Sequence, residues 1–256
     1  MSSTELAVES PYVWRARRPG HVHRLICFPH AGAGAGVFAD WVGRLPSSVE
    51  PIAVQLPGRQ NRIAEEPFTE VAPLVRVLVQ ALRPVLTRRF SFFGHCGGAV
   101  LAFELARALR DRGGPQPSHL FLSGQPCPER MDEVRELHGL NDDKFRDEVV
   151  SLGGVDPEVA EDEDVMDALM PVMRDDFVLW ERHRITAGEP LDVPIITMAG
   201  DDDPRTRPDS VEGWRRQTTG PVTSHRYPGG HFFFLDAASG VPEQAARTIL
   251  ASEGTK

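Results

Sequence analysis

The sequence predicts an α/β protein: a mostly parallel sheet flanked by helices, with a helical insertion in its second half. Three observations carry this reading. Short apolar runs alternate with amphipathic stretches along most of the chain. One strand–helix junction contains a Gly-x-Cys-x-Gly turn, Gly94-His95-Cys96-Gly97-Gly98. Between Ser123 and Pro194 the patterns are helical, with no convincing strand.

The first ten residues read as a loose tail. Arg24–Phe28 is a strand ending at Pro29, and Pro51–Leu56 is another, ending at Pro57-Gly58. A helical stretch runs from Val71 to Leu86, disturbed by Pro84. Phe90–Phe93 reads as a short buried strand. Val100–Arg110 follows as an amphipathic helix with Leu101, Leu105 and Leu109 on one face. His119–Leu122, Pro194–Ala199 and Thr223–Tyr227 are further strands, and Glu243–Leu250 is a final helix. Strands separated by helices imply a parallel sheet covered on both faces. In the insertion, Asn141 caps a helix to Leu152, and a second helix spans Asp164–Arg182. The acidic residues from Asp156 to Asp167 separate or begin these helices. Residues 125–190 therefore read as a helical lid over the C-terminal edge of the strands, within one domain of residues 1–256. Met170, Met173 and Trp180 share its apolar face, where they line a channel or pack a core.

The chain has 256 residues and is 41% hydrophobic, ample for one sizeable core. No apolar run is long enough for a bilayer, and no charged-then-apolar segment opens the chain. A formal charge of −9 argues against nucleic-acid binding. Three cysteines, Cys27, Cys96 and Cys127, lack metal-ligand spacing, so a cytoplasmic chain with reduced thiols and no metal is expected. The run Gly32-Ala33-Gly34-Ala35-Gly36 lacks the Gly-x-Gly-x-x-Gly spacing, so no dinucleotide cofactor is expected.

The Gly-x-Cys-x-Gly turn exposes a nucleophile between strand and helix. Gly94 and Gly98 are expected where neighbouring backbones approach too closely for a side chain. A cysteine nucleophile needs a base, a group that orients the base, and oxyanion donors. His231, in Pro228-Gly229-Gly230-His231-Phe232, follows the last strand and is the candidate base. The orienter should follow the preceding strand, where Asp201, Asp202 and Asp203 are adjacent. Chemistry alone does not separate them; the spacing Gly200-x-x-Asp203 favours Asp203. The order nucleophile, Asp, His is that of α/β-hydrolases. The oxyanion hole should comprise the N–H of Gly97, at a helix start, and one from the glycine-rich loop after the first strand, with Ala31 favoured.

These residues carry a resemblance. The runs Phe28-Pro29-His30-Ala31-Gly32, Gln55-Leu56-Pro57-Gly58-Arg59, Phe103-Glu104-Leu105-Ala106, Leu152-Gly153-Gly154 and Pro228–Phe233, with the turn around Cys96 and Gly200–Pro204, occur in order over most of the chain. The sequence resembles the type II thioesterases that accompany polyketide and nonribosomal peptide synthases. The resemblance implies an α/β-hydrolase with a mobile helical lid. It implies hydrolysis of acyl or aminoacyl thioesters on the phosphopantetheine arm of carrier proteins. It maps the triad to Cys96, Asp203 and His231, with Ala31 and Gly97 at the oxyanion hole. The family usually has Ser at position 96 and often Met at position 97. Cys96 leaves the acyl group as a thioester, so carrier-to-carrier transfer stands beside hydrolysis. A non-catalytic carrier-binding module is a third reading, one in which Cys96, His231 and Asp203 would not converge. Gly97 is expected to leave room for a larger acyl group. Arg15, Arg17 and Arg18, or Arg59 and Arg62, are candidate docking groups for a carrier protein or its phosphate, against the alternative of solvated surface. Glu104 is read as structural and Cys127 as a free thiol without a role.

Overall fold

The computed structural model describes residues 5–253 apart from 185, 187 and 208–210. Eight strands form one sheet: β1 (Ala7–Ser10), β2 (Val13–Arg15), β3 (His23–Phe28), β4 (Val49–Val54), β5 (Phe90–His95), β6 (Leu120–Ser123), β7 (Ile195–Gly200) and β8 (Val222–Tyr227), in the order β1-β2-β4-β3-β5-β6-β7-β8. From β4 to β8 every neighbouring pair is parallel; only β1–β2 and β2–β4 are antiparallel.

Residues 7–10 are thus not a tail. β1 carries Ala-Val-Glu-Ser with three of its four residues exposed. Backbone pairing to β2 holds it, so it lacks the apolar signature that marks a buried strand.

The helices are α1 (Trp41–Arg44), α2 (Val71–Ala81), α3 (Gly97–Asp111), α4 (Asp142–Ser151), α5 (Pro157–Glu161), α6 (Glu163–Glu181) and α7 (Val241–Glu253). Side chains alternate across the sheet with the period of two that strands impose. Ile26, Phe28, Phe90 and Phe92 face α2 and α3, whereas Leu25, Cys27 and Phe93 face α1 and α7. α2 stops at Ala81, short of Leu86, and the chain continues as a single tight turn over Arg83–Val85. Pro84 has no N–H to extend the α-helical ladder.

The segment between β6 and β7 contains α4, α5 and α6. Asn141 caps α4 by accepting from the N–H of Lys144 at 3.0 Å. The acidic run has the same use: Asp156 accepts from Glu158 N–H at 2.9 Å and Asp162 from Val165 N–H at 3.1 Å, starting α5 and α6. Leu137, Phe145, Val149, Met173 and Phe177 form a small apolar core of their own.

Of the arginines singled out as docking groups, Arg15, Arg18, Arg59 and Arg62 are tied internally, while Arg17 stays exposed. Arg18 is buried and donates to the carbonyls of Leu45 and Val49. Arg15 pairs with Glu9 and Glu50, and Arg17 with Glu9. Arg59 pairs with Asp176, and Arg62 with Glu65. Their partners come mostly from distant segments, which a linear reading of charge does not reveal. Glu104 pairs with Arg107 and His183, a structural use.

Cys96 links β5 to α3 with φ of 52° and ψ of −125°. That left-handed conformation is strained for a residue with a side chain. The neighbouring backbones hold it in place. A Cβ on Gly98 would lie 2.3 Å from the carbonyl oxygen of Phe28, and one on Gly94 would lie 2.1 Å from that of Gly98. Replacing Gly98 by Ala should therefore destabilise the fold by about 3 kcal/mol, the upper end of overpacking effects. Urea unfolding of Gly98→Ala checks this, and an unchanged midpoint contradicts it.

Candidate active site

The sheet brings Cys96, His231 and Asp203 together from the ends of β5, β8 and β7. All three are buried; Cys96 is 8% exposed and His231 1%. The Nδ1–H of His231 donates to both carboxylate oxygens of Asp203, at 3.0 and 2.9 Å. Asp203 also accepts from the N–H of Arg205 at 2.8 Å and from the Thr206 hydroxyl. Among the three adjacent aspartates only Asp203 is buried; Asp201 turns outward to Arg226 and Asp202 is exposed.

Burial opposes a charged Asp203, but its bonds from His231, Thr206 and Arg205 prevail and hold it below the usual carboxylate range. For His231, burial likewise opposes the charge, yet Asp203 and Cys96 raise it to about 9. His231 Nε2 has no well-aligned hydrogen-bond partner. Its ring still acts on the Cys96 sulfur through charge. Burial disfavours the Cys96 thiolate, and His231, Arg205 and the Gly97 N–H outweigh that and lower its pKa. Burial pushes Cys27 up well above its ordinary value and Cys127 up to about 11. Cys96 is thus the thiol poised to ionise.

Two further buried histidine rings stand near His231, with no part assigned to them from the sequence. His95 lies 4.9 Å from His231 between ring centroids, and His30 lies 6.1 Å from His95. Burial, then the nearby His231, keeps both neutral; His30 falls to about 3. Neither ring adds a positive charge against the His231 imidazolium. Both stand inside the motif runs, but their neutrality follows from burial.

Gly97 begins α3, so its N–H lies in the first helical turn, where the helix offers no acceptor. Among the described residues the N–H of Ala31 also has no acceptor. Ala31 and Cys96 border one small cavity with His30, Val149, Leu152 and Phe177. It holds about 20 Å³, room for about one water. Met173 lines it, whereas Met170 packs partly buried against the small apolar core of the insertion.

The space expected beside Gly97 is occupied. Trp180 packs into the core, and a Cβ on Gly97 would lie 2.1 Å from its Nε1. That indole N–H is buried without an acceptor among the described residues. The glycine accommodates an indole from α6, and leaves no extra room for an acyl chain.

A cysteine after β5, an aspartate after β7 and a histidine after β8 on this parallel sheet are the arrangement of an α/β-hydrolase. Residues 23–252 match the family model described as "Thioesterase domain". Gramicidin S biosynthesis protein GrsT of Aneurinibacillus migulanus is 36% identical over 214 residues, 84% of each chain. The solved structure of the RedJ thioesterase from the prodiginine pathway of Streptomyces coelicolor matches with a TM-score of 0.85 at 36% identity, over 90% of this chain and 92% of that one. The type II thioesterase BorB from the borrelidin cluster matches with a TM-score of 0.86 at 32% identity, over 94% and 98%. The chain belongs to the thioesterase family, and it is a thioester hydrolase. Among the described residues no helix is long and apolar enough to cross a membrane.

Two outcomes follow from this geometry. The pH profile of Cys96 alkylation by iodoacetamide, read by peptide mapping, should have its midpoint below the ordinary thiol value of 9.0, and His231→Gln should move it upward. Gly97→Ala should expel the Trp180 indole and destabilise the fold by about 1–3 kcal/mol. Urea unfolding and tryptophan emission measure it.

Proposed function

We propose that this enzyme removes acyl or aminoacyl groups from the phosphopantetheine arm of carrier proteins in polyketide or nonribosomal peptide assembly, through an acyl-Cys96 intermediate. The observation that carries the proposal is the convergence of Cys96, His231 and Asp203 in a buried site, beside the Gly97 N–H that favours the Cys96 thiolate and the Ala31 N–H that has no protein acceptor. Relatives named for gramicidin S and prodiginine biosynthesis support the pathway and a carrier-borne substrate. A binding module without catalysis would have kept the three groups apart.

In this reading the Cys96 thiolate attacks the thioester carbonyl carbon. The oxygen takes the negative charge and is stabilised by the N–H groups of Ala31 and Gly97. Collapse breaks the bond to the pantetheine sulfur, which takes the proton held at His231 Nε2. Water then loses a proton to Nε2 as it attacks the acyl-Cys96 carbon, and the Cys96 sulfur leaves as thiolate. The free acid and the carrier thiol are the products. Asp203 fixes the ring and stabilises the imidazolium that acylation consumes and deacylation regenerates. A cavity of about 20 Å³ holds no acyl chain. Residues 125–190 therefore act as a lid, and the α4–α5 part that carries Val149, Leu152, Gly154 and Val155 moves for substrate to enter.

The sulfur nucleophile favours a second reading. Attack by a thiol exchanges one thioester for another, so acyl-Cys96 retains the activation needed to pass its group to a second carrier. Intact-protein mass spectrometry of an acyl-loaded carrier, with and without an empty second carrier, separates the two. Free acid and bare carrier, independent of the second carrier, are the expected result. A persistent acyl-enzyme that discharges only onto the second carrier points to transfer. Cys96→Ala should form no acyl-enzyme in either case.

A further inference from the structure

Asp176 lies in α6, far along the chain from Cys96, and is 1% exposed. A carboxylate so buried needs charged or hydrogen-bonding partners on most of its lone pairs. It has three. Arg59 donates through Nη2 to Oδ1 at 2.9 Å and through Nη1 to Oδ2. The backbone N–H of Gly32 donates to Oδ2 at 2.7 Å. Arg59 is itself buried, and it reaches on to the carbonyls of Pro57 at 3.0 Å and Ala33 at 3.3 Å.

Gly32 directly follows Ala31. It sits at φ of 76°, and the Met173 side chain occupies the space where its Cβ would stand, with Cγ 2.5 Å away. The next N–H, of Ala33, donates to the carbonyl of His30 at 3.1 Å, and that of Ala35 to Gln55 Oε1 at 2.7 Å. The loop is thus pinned on the side of α6, while the N–H of Ala31 keeps no protein acceptor. We propose that Asp176 is a positioning residue. Through Gly32 and Arg59 it fixes the loop so that the Ala31 N–H points at the developing oxyanion, and it joins that loop to α6 as one unit. The inference rests on the proposed role of Ala31. It makes the hole's integrity depend on α6 staying docked, and confines opening to α4 and α5.

The test compares two reactions of Cys96 that differ in one requirement. Acylation by hexanoyl-N-acetylcysteamine develops an oxyanion. Alkylation by iodoacetamide, a displacement at a saturated carbon, develops none, yet needs the same thiolate. Single-turnover mass spectrometry follows both. Asp176→Ala should slow acylation about 100-fold, the effect of losing one oxyanion donor, and should not slow alkylation. Asp176→Asn keeps an acceptor for Gly32 but loses the charge facing Arg59. It should slow acylation about tenfold with alkylation again intact, and it serves alone if the alanine variant fails to fold. Acylation at the wild-type rate in either folded variant overturns the inference, as does equal slowing of both reactions. If the wild-type enzyme forms no acyl-Cys96, the proposed function fails first; if it does and the variants match it, only the anchor fails.

Discussion

Gly98 lies against the carbonyl of Phe28, and Gly94 against Gly98, with no space for a side chain between them. That contact holds the N-terminus of α3 over the ends of β3 and β5. It forces Cys96 into the left-handed region, at a strain of about 1–3 kcal/mol. It also brings the first-turn N–H of α3 and the loop after β3 close to one sulfur. The close packing of helix on strand is what turns three separate sheet ends into one site.

Burial then sets the charges. Asp203 stays ionised because His231, Thr206 and Arg205 all donate to it, and its charge lifts His231. The stabilisation from His231 has a definite sign. Its folded pKa, about 9, exceeds the ordinary 6.5, so this contribution is full below pH 6.5 and disappears as pH rises through 9. His30 works the other way: the fold resists its proton down to about pH 3, so the contribution it makes is lost as pH falls below 6.5. These two contributions set opposite limits: the one from His231 fails on the alkaline side and the one from His30 on the acid side.

The sheet and the turn at Cys96 were legible because both write themselves into local patterns: period-two apolar runs, and glycines at fixed offsets. β1 was not, since an edge strand with exposed side chains has no apolar period. The acidic run before α6 is expected to separate or begin the helices there, and two of its aspartates begin them as caps. Asp203 stood out from its neighbours by spacing alone, and burial now distinguishes it. Long-range pairs left no trace in the sequence. Nothing in Met173-Arg174-Asp175-Asp176-Phe177 marks the fourth residue as the partner of Arg59. Nothing near Gly97 announces that an indole from α6 fills the place of its missing side chain.

The cavity beside Cys96 has a kinetic consequence. About 20 Å³ admits no acyl chain, so on the lid reading proposed above substrate binds only to molecules in which the lid has moved. The apparent affinity is then the intrinsic one reduced by the fraction of that state. Where that fraction is small, such an enzyme samples its targets rarely. On the function proposed above, a carrier that loads and discharges quickly escapes it, while one whose cargo has stalled waits long enough to be met. Discrimination can therefore come from dwell time on the carrier, with no pocket needed to distinguish a correct acyl group from a wrong one.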